Sequence, residues 1–124
     1  MGAMKRDLDL IRSLLIIMEN HEHGYAPGDI KVDGYTEEQV GFHVHLLGDA
    51  GLAVVADTTG IGSESPSAMP QYLTWAGYEF LEAAKDETVW GLAKEKVIKP
   101  AGGVAFTVLL EWLKIEAKTR LGIP

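Results

Sequence analysis

No cysteine occurs anywhere in the 124 residues. Disulfides, thiolate metal sites and cysteine nucleophiles are thereby excluded, and a reducing compartment suits the chain. Long apolar runs are missing too. The strongest, Val104 to Leu110, is interrupted by Thr107 and falls far short of the ~18 residues a membrane span requires. Lys5 and Arg6 stand near the N-terminus, but Asp7, Asp9 and Arg12 break up any signal-peptide core. The expected location is the cytoplasm. Met1, Gly2 and Ala3 precede a second methionine and read as a cloning remnant, with residues 4–124 as one domain.

Positive charge is the other scarcity. Net charge is −7, and no Lys or Arg lies between Val32 and Ala84. That window holds Asp33, Glu37, Glu38, Asp49, Asp57, Glu64, Glu79 and Glu82. Nucleic-acid affinity rests largely on cations that neutralise phosphates. The middle of the chain therefore lacks the electrostatic means to hold DNA, and any basic surface must come from Arg6, Arg12 and the C-terminal residues.

What is present is a well-punctuated series of elements. Leu8, Ile11, Leu15 and Met18 recur at helical spacing within 4–20, and Asp7 and Asp9 suit the positive end of the helix dipole. Residues 20–29 are a breaker-rich loop, and Ile30 to Tyr35 reads as a short strand. Thr36, Glu37, Glu38 and Gln39 then form a capping box, flanked by Tyr35 and Val40 at the staple positions. Gly51 followed by Leu52 fits a glycine C-cap, so 36–50 is a helix with both ends specified. Leu52 to Asp57 reads as a strand, Thr58 to Pro70 as a polar loop with a mobile tip at Gly60–Ser65, and Gln71 to Leu73 as the returning strand. Thr74 caps a helix running to about Ala84, Asp86 to Val97 forms another, and Pro100, Gly102 and Gly103 separate it from a last helix, Val104 to Leu121.

Helix, short strand, capped helix, two-stranded wing and helix is the order of a winged helix. The expected fold is α+β: a winged-helix-like part over 4–85 and a C-terminal helical extension over 86–124. Segments MKRDLDLIRSLL, DGYTEEQVGFHVHLLGDAGL and LTWAGYEFLEAAKDETVW, with the GG-V-F-VL run near the end, resemble the bacterial and phage family catalogued as domain of unknown function 2513. The resemblance implies a small protein, often phage- or prophage-encoded, with a winged-helix look and no established activity. It also implies that His43 matches the family pattern, whereas His45 stands where relatives tend to carry Lys or Arg.

The chemistry-bearing residues are few. His43 and His45 spell H-x-H, but two residues apart on a helix point about 160° away from each other, so they cannot chelate one ion. His43 falls in the apolar arc and is expected to be a buried ring satisfied by a backbone carbonyl or a carboxylate. His45 falls on the polar side with Gly41 and Asp49. His21 and His23 read as solvated loop residues. The Gly60–Ser65 segment resembles a phosphate loop only superficially, because Pro66 and Pro70 bar the helix start that such loops need. No serine lies in a nucleophile elbow, and the adjacent pairs Glu37, Glu38 and Asp86, Glu87 are explained as first-turn charges. No catalytic, cofactor or metal residues are assigned, and no enzyme is expected.

The expected function is a non-catalytic binding module whose partner is a protein. Its contact residues would be Glu37, Glu38, Gly41, His45 and Asp49 on the capped helix, with Asp57 and Glu64 in the wing. A DNA-binding regulator is the alternative. The last helix is apolar almost all round, so it closes a core, forms a dimer seam through Trp112 and Leu113, or does both.

Overall fold

A computed structural model describes residues 3–100 and 104–122. Among the described residues the chain is mixed α+β, with five α-helices and one two-stranded antiparallel sheet. It divides into two compact units, the first running through Tyr78 and the second starting at Glu79. Of the residues read as a cloning remnant, 1 and 2 lie outside the described set, as do 101–103 of the expected Pro-Gly-Gly separator.

In the first unit, helix α1 spans Leu8–Glu19 and starts with the first residue of the apolar spacing, later than the expected start at residue 4. Asp7 sets the start: its Oδ1 accepts the Leu10 N–H at 3.2 Å, a side-chain N-cap. Helix α2 spans Glu37–Asp49. Its capping box is complete, with Thr36 Oγ1 accepting the Gln39 N–H at 3.1 Å and Gln39 Oε1 accepting the Thr36 N–H at 2.8 Å. Its other end is a Schellman motif. Leu52 N–H reaches the Leu47 carbonyl, Gly51 N–H reaches that of Gly48, and Gly51 takes the left-handed φ of 72° the motif needs.

Strand β1, Ala53–Asp57, pairs antiparallel with β2, Ala68–Leu73, with a bulge at Val54/Val55. Leu10, Leu14, Leu15, Val44 and Leu47 form the buried seam of α1 and α2, and Ala53, Ala68 and Leu73 close it from the hairpin. The first turn of helix α3, Trp75–Ala84, is tied back to this core. Thr74 Oγ1 accepts the Gly77 N–H and donates to the Gly51 carbonyl, so one hydroxyl joins the start of α3 to the end of α2.

Ile30 to Tyr35 is not a strand, contrary to the sequence expectation. The loop meets β2 where the Ala26 N–H donates to the Gln71 carbonyl at 2.7 Å and where the Tyr25 ring packs edge to face on Tyr72. The next loop residue is Pro27, and β2 itself carries Pro70; neither has an N–H, so a third ladder cannot propagate. The segment ends instead in a tight turn, Tyr35 N–H to Val32 carbonyl, with Gly34 at φ 87°.

In the second unit, helix α4 spans Glu87–Ala93 and is capped by Asp86, whose Oδ1 accepts the Val89 N–H. The helix expected to run on to Val97 widens there into a π-helical turn over Lys94–Ile98. Helix α5 spans Phe106–Arg120. Phe80 is fully buried, and its ring lies tilted against Phe106 at 4.9 Å and edge to face with Trp90 at 6.4 Å. Leu81, Ala93, Leu109 and Leu113 are buried as well.

Candidate functional site

The candidate face is built on α2 and the hairpin, and glycines set how closely they approach. A Cβ on Gly48 would lie 2.6 Å from Val55 Cγ2, and one on Gly41 would lie 2.5 Å from Ser67 Oγ. The hairpin therefore lies against the Gly41/Gly48 side of the helix. Gly41, expected to meet a partner, is covered by Ser67 and half-buried.

Hydrogen bonds run along the length of the wing. Thr58 N–H donates to the Ser67 carbonyl, and Ser67 N–H donates to Thr59 Oγ1 at 2.9 Å. Gly60 N–H reaches Ser63 Oγ while Ser63 N–H returns to the Gly60 carbonyl. These Ser and Thr hydroxyls extend the ladder past the strand ends. At the tip, Ser65 Oγ donates to Glu38 Oε2 at 2.7 Å and ties the wing to the start of α2. Ile61 at the tip is wholly exposed.

The predicted contact residues fall into four groups. Glu38 is joined to the wing beside exposed Glu64. His45, half-buried and stacked on Phe42, has its Nε2 3.4 Å from Asp49 Oδ2. Asp57 is exposed at the end of β1, and its carboxyl is held below the usual carboxylate range. The Thr59 hydroxyl and backbone N–H are the main cause, and nearby His45 adds a smaller pull. Glu37 lies on the Gly41 side of α2, at an open groove of about 230 Å³ that it lines with Ile30, Val40, Val44 and Pro70.

Behind this face lies a polar knot built on one buried ring. His43 is 1% exposed. Its Nδ1 lies 2.8 Å from the Gln39 carbonyl, which can only accept, so Nδ1 carries the proton. Its Nε2 then accepts the backbone N–H of Asp7 at 2.8 Å. The expected buried, backbone-satisfied ring is what the structure contains. Asp7 Oδ2 in turn accepts from the Tyr35 hydroxyl at 2.8 Å. Burial first, then the hydrogen bond to Asp7 and the charges of Asp7 and Asp9, push the Tyr35 phenol up to about 12. This knot links the caps of α1 and α2, and sequence spacing gave no sign of the Asp7–Tyr35 bond.

His21 and His23 meet edge to face at 5.8 Å, and His23 lies 3.2 Å from the Glu22 carboxylate. Among the described residues, no three His, Asp or Glu side chains converge as metal ligands would. Trp112 is half-buried, while Leu113 is fully buried inside the second unit. The two residues expected to share a seam thus face different surroundings, and Leu113 cannot meet another molecule. No helix among the described residues is long and apolar enough to cross a membrane.

The geometry defines a small α+β protein that presents a helix-and-hairpin face edged with carboxylates. The chain belongs to the family described as hypothetical protein DUF2513, whose model matches residues 5–104. It is similar to an uncharacterised protein of Haemophilus influenzae, 37% identical over 97 residues, covering 76% of this chain and 79% of that one. No solved structure matches.

Proposed function

We propose that this protein is a non-catalytic, winged-helix-like binding module of the cytoplasm, and that its acidic helix-and-hairpin face engages a basic surface on a partner protein. The observation that carries the reading is the Ser65–Glu38 bond, which fixes the wing tip to the start of α2. Glu38, Asp49, Asp57 and Glu64 then stand on one preorganised surface, in a stretch without a single Lys or Arg. Preorganised charge raises association rates and selects partners of opposite sign more than it adds raw affinity. The phage or prophage setting that the family resemblance implies would make a host protein the target.

Duplex DNA is the second reading, favoured by the resemblance of helix plus wing to a major-groove reader. Glu37 and Glu38 oppose it, because they occupy the helix end that such proteins bring nearest to the phosphates. Zero-length carbodiimide cross-linking in host lysate, with cross-linked peptides located by mass spectrometry, tests the proposal. The expected result is one partner joined through its lysines to Glu38, Glu64 or Asp49, and lost on Glu38→Lys/Glu64→Lys. Cross-links scattered over the whole surface, or tight and salt-sensitive binding of a duplex by the unmodified protein, would overturn it.

A further inference from the structure

The outward side of α5 carries an apolar stripe at heptad spacing. Val108 is 54% exposed and Ile115 61% exposed. Trp112 lies between them and is half-buried, while Leu109 and Leu113, about 100–140° round the helix from Val108, are buried. Val108, Trp112, Ile115 and Thr119 occupy successive d, a, d and a positions of a two-stranded seam. Thr119 suits such a position because its hydroxyl is already spent on the Ile115 carbonyl at 3.0 Å.

The charges flanking the stripe say what covers it. Glu111 and Lys118 both fall at g, on one flank, and neither has an ion-pair partner among the described residues. Two turns of helix, about 10 Å, separate them, so they cannot reach each other on one helix. Glu116 falls at e, on the other flank, and is engaged by Arg120 at 3.6 Å. Lys114 is drawn off toward Glu79 at 3.9 Å. A parallel pairing of two α5 helices would set g against e of the partner, and so Glu111 against Glu116. That is a like-charge clash. An antiparallel pairing sets g against g. Trp112 of each copy then faces Ile115 of the other, and Glu111 comes within about two residues, ~3 Å of helix rise, of the partner's Lys118. The same contact forms twice about the two-fold axis, as a self-complementary interface requires.

We propose that the occupant of this face is a second copy of the chain, packed antiparallel through α5. The stripe is little more than three helical turns long, so the dimer forms at micromolar concentrations and exchanges rapidly. The assignment does not depend on what the α2 face binds.

Sedimentation equilibrium of the full chain, from low to high micromolar, tests it. The unmodified protein is expected to populate monomer and dimer. Ile115→Lys, at an exposed position where folding is unaffected, should leave only monomer, with circular dichroism confirming the fold. Glu111→Lys and Lys118→Glu should each weaken the dimer roughly tenfold, and the double exchange should restore it, because the pair reforms with signs reversed. Three results would overturn the proposal: monomer alone for the unmodified chain, a dimer that survives Ile115→Lys, or a double exchange no better than the single variants.

Discussion

His43 and Tyr35 meet the same aspartate from two sides, and each supports a separate prediction. The His43 ring spans from the Gln39 carbonyl to the Asp7 N–H inside the core. Leucine at this position would fill much of the space but leave the Asp7 N–H without its acceptor. His43→Leu is expected to lower unfolding stability by about 2–3 kcal/mol, read from denaturant midpoints, since a buried donor without a partner costs about that much. Tyr35 predicts a pH effect. Its phenol, ordinarily near 10, is raised to about 12 in the folded chain. The neutral form is thus the one that folding favours, and its contribution is complete below pH 10. It is lost as the pH climbs from 10 to 12 and the folded phenol ionises beside Asp7. Alkaline titration of phenolate absorbance should show one tyrosine ionising near 12, absent in Tyr35→Phe. The same substitution should flatten the fall in stability across that window. His43 was legible in the sequence because helical phase places it in the apolar arc. The Asp7–Tyr35 bond was not, because a contact 28 residues apart, between the cap of α1 and the end of an irregular loop, leaves no period to read.

Elements bounded by their own chemistry were read closely, and elements bounded by their neighbours were not. Helix α2 begins and ends where Thr36 and Gly51 dictate, because capping hydrogen bonds are local. The third strand expected at Ile30–Tyr35 depended on pairing with β2, which Pro27 and Pro70 deny to that edge. Gly41 was read as open surface because nothing local reveals that the wing folds over it; a glycine within a helical pattern was the available signal of close approach. The same contrast gives a paired prediction for two helical glycines. A Cβ at Gly77 would run into the Leu52 carbonyl, a backbone atom that cannot step aside. Gly77→Ala should therefore cost several kcal/mol, on the order of the 3 kcal/mol upper range for overpacking. Gly91, in α4, has nothing within 4 Å of its would-be Cβ. Gly91→Ala should stabilise the chain by about 0.5–1 kcal/mol through helix propensity alone. Thermal or denaturant unfolding of the two variants distinguishes crowding at α3 from a general dislike of alanine at helical glycines.

At the scale of the whole molecule, charge separates a helix-and-hairpin shape from the function that the shape suggests. The chain carries a net −7, and the stretch that makes α2 and the wing has no cation to offset its carboxylates. If the scaffold is a DNA reader in geometry and only its charge forbids the duplex, supplying cations at the right places should restore binding. Glu37, Glu38 and Glu64 are exposed at the helix start and the wing, the parts of such a scaffold that approach phosphates. In fluorescence anisotropy at physiological salt, the unmodified protein should leave a duplex unbound. The triple variant Glu37→Lys/Glu38→Lys/Glu64→Lys should bind it, and log affinity should fall against log salt by about 0.9 for each phosphate contacted. Because Glu38 also receives the Ser65 hydroxyl, a companion variant with Glu37→Lys and Glu64→Lys keeps the wing anchored. It should show the same salt-sensitive gain with a shallower slope. If neither variant binds, the obstacle is the shape of the face and not its sign. The winged-helix-like reading would then fail together with the DNA alternative, while a protein partner that meets the carboxylates would stand on its cross-links alone.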